Sequence, residues 1–415
     1  MVPADVAEAQ ILDLITPFDG ARDRETVTLA EARDRILADT VLSPLDFPHW
    51  DNSAMDGYAV RFADVQGATA TATVALTVIE EIPAGKRPQQ AVAAGQAARI
   101  LTGSMMPEGA DTIVIQEITQ RRDDQVQILE APQPQAFVRH RASFHRAGEP
   151  LLFAGTVLQA PEIAVLAAAQ CPLVPVYRRP RVAILSTGDE LVTPDRPLQP
   201  GQIVDSNQYA LVTLVQQAGA EAIPMGIVPD QPEALREAIA AALDQADLVL
   251  SSGGVSVGDY DYVDRILTEL GATLHIRAVA IKPGKPLTVA TFTQPSPTLY
   301  FGLPGNPVSA LVSFWRFVEP ALRKLSGQTR WSPLFVKARS HQDLRAGGQR
   351  ETYLWGQVQV TEAGFEFSLA GGRHSSGNLI NLAGTNALGV VPVGVTQIAA
   401  GDPVRVLLLP SGFTS

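Results

Sequence analysis

Four stretches of the chain combine glycine, proline, lysine and carboxylates in a way that no apolar core requires. They are Ser186-Thr-Gly-Asp-Glu190, Ser251-Ser-Gly-Gly-Val-Ser-Val-Gly-Asp-Tyr-Asp-Tyr262, Lys282-Pro-Gly-Lys-Pro286 and Gly302-Leu-Pro-Gly-Asn-Pro307. Each follows an apolar run, ending at Leu185, Leu250, Ile281 or Tyr300. In open α/β sheets ligands bind beyond the carboxyl ends of the strands, so four such loops on one sheet edge describe a site. Ser251, Gly253, Gly254, Ser256 and Gly258 offer small side chains and backbone N–H groups, through which a chain approaches a phosphate or another oxyanion closely. The GGxxxG spacing is neither the dinucleotide fingerprint nor a Walker sequence. A tight strand-to-helix turn is the plainer alternative. Lys282 and Lys285 flank Pro-Gly, so a stiff turn presents two ammonium groups as a clamp for phosphate; two solvated surface lysines are the alternative. Asn306 before Pro307 reads as the N-cap and first residue of a helix.

Carboxylates form the other half of the pattern. Asp189, Glu190, Asp205, Asp259 and Asp261 fall on or beside the same loops. Several carboxylates next to a phosphate-binding loop suit a hard cation such as Mg²⁺, which prefers oxygen ligands and bridges to phosphate. For Asp205 or Ser206, and for Asp261, helix capping is the alternative. Further upstream, Asp51-Asn-Ser-Ala-Met-Asp-Gly-Tyr58 is a polar stretch with nothing to gain from a core, although Asp56-Gly57 also reads as an ordinary turn. Thr102-Gly103 and Pro107-Glu-Gly-Ala-Asp111 precede the β-like run 112–115. Cys171 sits in apolar company and reads as a buried filler.

The elements that must position these residues follow from texture. Residues 5–40 read as helical, with Ile11, Leu12, Ile15, Leu29, Ile36 and Leu37 at mixed three- and four-residue spacing. Residues 46–145 are short β-rich runs punctuated by Gly and Pro. Residues 148–178 return to a helix-like pattern, which makes the β-rich region an insertion into a split helical linker. From 179 to 326 strands alternate with helices, the signature of a mainly parallel sheet covered on both faces. From 331 onward the texture is β again, as a barrel or sandwich. The expected organisation is therefore a linker (1–45 and 146–178), an inserted β-rich domain (46–145), an α/β domain (179–326) and a C-terminal β-barrel domain (327–415).

Composition excludes several function classes. The chain has 415 residues, 46% hydrophobic and 18% charged, with 32 Lys plus Arg against 43 Asp plus Glu and a net charge of −11. A broad basic footprint for nucleic acid or anionic lipid is not expected of such a chain. With one cysteine there is neither an intrachain disulfide nor a thiolate metal cage. The six histidines show no HxxxH pair. No apolar run approaches the length of a membrane span, and the first residues have no signal-peptide pattern, so a soluble, cytoplasmic setting is expected.

Taken together, DNSAMDGYA (51–59), LTGSMMPEGAD (101–111), STGDE (186–190), GQIVDSN (201–207), SSGGVSVGDYDY (251–262), IKPGKP (281–286) and GLPGNPVSA (302–310) resemble the molybdopterin molybdenumtransferase family. These are the molybdenum-insertion enzymes of molybdenum cofactor synthesis, represented also by the E domain of gephyrin. The resemblance covers nearly the whole chain and keeps the family's order and spacing. It implies a homodimer of four-domain subunits, with the active site between the α/β domain of one subunit and the inserted domain of the other. The implied reaction takes adenylated molybdopterin and molybdate, releases AMP and places molybdenum on the dithiolene, assisted by Mg²⁺. Transient contacts with other cofactor-synthesis proteins are implied as well.

Carried over position by position, Asp56 and Thr102 are the inserted domain's contribution. Glu190, Asp205 and Asp261 match the acidic residues of the α/β site, and Lys282 and Lys285 match substrate-binding lysines. Pro304 and Pro307 line the proposed molybdate pocket, while Arg350 and Ser376 resemble oxyanion contacts of the C-terminal domain. One departure stands out: where relatives read Gly-Glu-Asp, this chain has Gly148-Glu149-Pro150. The shared α/β domain leaves two other expectations open, a molybdopterin adenylyltransferase and a non-catalytic pterin-binding scaffold.

Overall fold

The computed structural model describes residues 1–254 and 260–409, and of 260–262 the backbone only. The chain forms two compact units. One comprises Met1–Asp39, Gly155–Gln159 and Leu173–Ser415; the other comprises Thr40–Ala154 and Ala160–Pro172. Among the described residues no helix is long and apolar enough to cross a membrane.

The first unit is built around a six-stranded sheet in the order Glu221–Val228, Arg181–Thr187, Leu248–Ser252, Thr298–Leu303, Pro286–Phe292, Thr273–Ala278. The first four strands are mutually parallel, and Pro286–Phe292 runs antiparallel between its two neighbours. Alternation along the strands splits the core in two. Val182, Ile184, Leu248, Leu250, Phe301 and Leu303 face one cluster, whereas Ala183, Leu185, Val249 and Tyr300 face the other. Helices Asn207–Gln217 and Pro307–Ser313 cover the first face; Pro232–Leu243 and Tyr260–Glu269 cover the second. Such double coverage explains the uninterrupted apolar runs in the sequence.

Two readings of the sequence give way here. The expected helical region 5–40 holds one helix, Ala4–Asp13, followed by the strand Arg24–Thr28. Pro17 and the Asp19 turn, whose Oδ1 accepts from Ala21 N at 2.7 Å, separate the two. The β-branched Thr26-Val27-Thr28 then favours an extended backbone, which pairs antiparallel with Leu173–Tyr177. The linker thus pairs its two segments through strands; of 148–178, only Ala160–Ala168 is helical. The helical run 307–325, where Pro320 predicts a kink or a split, is interrupted by a π-helical stretch at Phe314–Val318 just ahead of that proline. Proline cannot supply an N–H to the ladder, and the widened turn in front of it absorbs the defect.

The C-terminal region closes into a five-stranded barrel: Glu351–Thr361, Gly364–Leu369, Phe335–Ser340, Pro403–Leu408 and Ala387–Val391, the last pairing back with the first. The short strand Ile281–Lys282 adds to this barrel, parallel to Glu351–Thr352. Tyr353, Trp355, Leu388, Val390 and Leu407 belong to the same buried cluster as helix Ala4–Asp13 and the central sheet. In the second unit a six-stranded sheet runs Thr112–Ile115, Gly57–Val60, Gln96–Ile100, Val74–Ile82, Gln125–Ile128, Thr119–Arg122. Cys171 is half-buried, and burial raises its thiol pKa, so it is a less complete filler than its neighbours suggest.

Candidate active site

At the carboxyl edge of the central sheet lies a cleft of about 950 Å³. Its polar lining includes Glu190, Asp205, Asn207 and Ser252, and Gly253, Gly254, Pro304 and Pro307 line it as well. These residues come from the ends of three parallel strands and from the start of helix Asn207–Gln217. Pro286 joins them because it opens an antiparallel strand, whose amino end falls on the same edge.

The loops are locked onto one another by backbone proximity. Gly253 has φ +99°, and a Cβ there would lie 2.3 Å from the carbonyl oxygen of Thr187. Its N–H donates to Leu303 O at 3.3 Å. The glycine is therefore needed for the close approach of two neighbouring strand ends, a role nearer the tight-turn alternative than to an amide left open for phosphate. Ser251 turns away from the cleft: its hydroxyl shares a 2.5 Å hydrogen bond with Tyr300 OH inside the core. Burial pushes the Tyr300 phenol up to about 12, against the opposing effect of the Ser251 bond. Ser256 and Gly258 lie outside the described residues. Asp261 is the second residue of helix Tyr260–Glu269, and its side chain also lies outside them.

Asp205 is 3% exposed, and its Oδ1 accepts from Gln208 N at 3.1 Å, capping the helix that Ser206 leaves uncapped. Its Oδ2 receives Gln208 Nε2 at 3.4 Å. Asn306 occupies the N-cap position before Pro307, as expected, but makes no capping hydrogen bond with its side chain. Among the described residues no three His, Cys, Asp or Glu side chains converge as a metal cage.

The cationic side is spread more widely. Arg350 Nη1 donates to Ile281 O at 3.1 Å, which places its guanidinium beside the residue preceding Lys282. Lys285 lines a second, more open cavity of about 790 Å³ together with Asp264 and Arg277, rather than the main cleft. Ser376 O accepts from Val308 N at 3.2 Å, and its neighbour Gly377 lines the cleft. The loop after Ile281 thus differs from the other three, since its strand pairs with the barrel and not with the central sheet.

In the second unit Asp56 and Thr102 meet. The antiparallel register sets Gly57 opposite Ile100, so the residues just beyond them are neighbours. Asp56 Oδ1 accepts from both Thr102 N and Thr102 Oγ1, each at 2.7 Å. The Thr102 hydroxyl, then its N–H, hold the Asp56 carboxyl below the usual range, with Arg99 adding to the effect. Asp56-Gly57 is not a turn: Gly57 opens a strand, and a Cβ there would stand 2.1 Å from Val114 O. At the departure from the family pattern, Pro150–Leu152 pairs with Val41–Leu42. Glu149 folds back locally, with Oε2 3.4 Å from Arg146 N.

Sequence reasoning passed over Asn207, Ser252 and Thr187. Asn207 Nδ2 donates to Ser252 Oγ at 2.6 Å and to Gly305 O at 2.8 Å, tying three cleft loops together. The signal was present as an amide directly after two polar residues at a helix start, where capping was the ready explanation.

Three family profiles match the chain in order: "MoeA N-terminal region (domain I and II)" over residues 2–169, "Probable molybdopterin binding domain" over 183–324, and "MoeA C-terminal region (domain IV)" over 337–409. A molybdopterin molybdenumtransferase of Nostoc sp. is 60% identical over 401 residues, 96% of this chain and 92% of that protein. Another, of Haemophilus influenzae, is 38% identical over 378 residues, 89% of this chain and 91% of that protein. The crystal structure of the molybdopterin biosynthesis moeA protein from Pyrococcus horikoshii superposes with a TM-score of 0.85 at 30% identity, covering 99% of this chain and 100% of that one.

Proposed function

The chain belongs to the MoeA family of molybdopterin molybdenumtransferases, and from that premise we propose that its cleft binds adenylated molybdopterin, and that molybdenum from molybdate enters the pterin dithiolene there as AMP leaves. The observation that carries this reading is the convergence of Glu190, Asp205, Gly253, Gly254, Pro304 and Pro307 on one cleft. The product needs two sulfur ligands on molybdenum, yet the chain has one cysteine. The sulfurs are the pterin's, so the protein's task is to position, neutralise and polarise. In this reading Lys282, Lys285 and Arg350, none of which lines the main cleft itself, raise the potential around it and offset part of the charge of the pyrophosphate link and of molybdate in a chain of net charge −11. Pro304 and Pro307 shape the molybdate end.

Glu190 and Asp205 are the oxygen donors that would hold Mg²⁺, with Asp261 a third by resemblance. Two carboxylates suit this ion, since Mg²⁺ is usually bound by one or two together with substrate phosphates and water. When bound, it supplies charge withdrawal from the link that breaks. The deciding experiment is an anaerobic turnover assay with adenylated molybdopterin. AMP should appear only with molybdate, stop on chelation of divalent cations and resume with added Mg²⁺. Pterin binding without any AMP release would overturn the reading.

Asp56 and Thr102 belong, on the same proposal, to the site of a second copy in a homodimer. If so, chains carrying Asp56→Ala and chains carrying Glu190→Ala, each inactive alone, should complement when mixed and reassembled. A mixed dimer then holds one intact site, and a random mixture recovers about a quarter of wild-type AMP release. No recovery, with mixed dimers demonstrated, would place both residues in one subunit's site.

A further inference from the structure

Along the cleft three buried polar atoms have no hydrogen-bond partner among the described residues: Ser186 Oγ, Thr187 Oγ1 and Asn207 Oδ1. Their residues are 1%, 5% and 7% exposed and all line the cleft. Buried groups of this kind are nearly always satisfied, and each one left unmet costs about 1–3 kcal/mol. Three together at one cleft call for an explanation. Both Asn207 N–H groups are already spent on Ser252 Oγ and Gly305 O, so Oδ1 can only receive a proton. Beside Thr187 Oγ1 the missing side chains of Gly253 and Gly254 keep room, their Cβ positions falling 2.8 and 3.0 Å from it.

We propose that Ser186, Thr187 and Asn207 form a neutral subsite that reads the nitrogen-bearing edge of the substrate's heterocycle, resting on the function proposed above. Oxyanions are poor ligands for it: at neutral pH molybdate and the doubly esterified pyrophosphate link have no proton to give Asn207 Oδ1, and Glu190 and Asp205 share the cleft. An exocyclic amino group beside a ring nitrogen satisfies all three atoms: its two N–H groups donate to Asn207 Oδ1 and to one hydroxyl, and the ring nitrogen accepts from the other hydroxyl. Pro232, Leu235 and Val263 line the same cleft and supply apolar surface for the ring faces. Both heterocycles of adenylated molybdopterin, the pterin and the adenine, carry such an edge.

The two hydroxyls make the test clean, because their removal breaks no hydrogen bond among the described residues. Ser186→Ala and Thr187→Val should leave the thermal unfolding midpoint unchanged or raised. AMP, 6-hydroxymethylpterin and molybdate are titrated separately by calorimetry into wild type, each single variant and the double variant. One heterocycle should bind about two- to tenfold more weakly per hydroxyl removed, with molybdate unaffected. Which of the two weakens identifies the ring that the subsite reads. The proposal fails if wild type binds neither heterocycle, if neither affinity moves, or if molybdate weakens in step. Wild-type AMP release run alongside separates the two failures: its molybdate dependence survives if only the subsite is wrong, and is absent if the proposed function is.

Discussion

Asp205→Asn should reduce molybdate-dependent AMP release by about 100- to 10,000-fold, the range for losing a polarising or proton-handling group at a reacting centre. The substitution is chosen because Asp205 also caps helix Asn207–Gln217 through Gln208 N. Asparagine caps about as well as aspartate, so the same contact survives and stability should change by less than about 1 kcal/mol. Charge at the cleft is what disappears. Turnover measured beside the unfolding midpoint separates the two roles. An activity loss no greater than the loss of folded protein would reduce Asp205 to a helix cap.

The largest effect on stability is expected at Arg316, which lies in the π-helical stretch and is 3% exposed. Its Nη1 donates to Glu8 Oε2 at 2.5 Å and its Nε to Tyr353 OH at 2.8 Å. Tyr353 in turn donates to Glu351. One guanidinium therefore joins the first helix, the helical run behind the cleft and the barrel. Arg316→Ala strands Glu8 and Tyr353 next to a cavity and should cost about 3–5 kcal/mol. Urea unfolding followed by tryptophan fluorescence reports on it directly, since Trp315 and Trp355 are buried in the surrounding core. The partner change Glu8→Gln in the Arg316→Met background should recover part of the loss, because a neutral, apolar replacement leaves no uncompensated charge. An unchanged urea midpoint for Arg316→Ala would mean that packing alone holds the three elements.

What could be read in advance follows the strength of each physical signal. The central sheet was legible because strands buried on both faces write continuous apolar runs, and because Pro232 and Pro307 mark helix starts. The cleft was legible through its loops, whose glycines, prolines and carboxylates serve no core. The linker misled, since Ile36 and Leu37 are buried at helix-like spacing yet meet Val157 and Val176 through isolated β-bridges. Burial periodicity over so short a stretch does not distinguish the two states. Strand Pro286–Phe292 escaped because a proline opens it and its neighbour runs antiparallel, against the alternation of the preceding units. Ser251 was assigned to the ligand although its hydroxyl serves Tyr300, because strand alternation puts its side chain on the core face and Ser252 on the cleft. Asn207 was hidden for a different reason: two partners 45 and 98 residues distant give no local trace.

The two-residue strand Ile281–Lys282 bears on how far this architecture can be taken apart. Pairing with Glu351–Thr352, and with Arg350 on Ile281 O, it ties Lys282 to the barrel rather than to the sheet that precedes it. A shortened chain ending near residue 330 would retain all six strands of the central sheet and still lose the support of that lysine, along with Tyr353, Trp355 and Leu407 from the shared core. The α/β region is therefore not an interchangeable cassette. Exchange with a free-standing relative would have to bring its own means of fixing that lysine, so the barrel and the α/β region are expected to be inherited, and to tolerate change, as a pair.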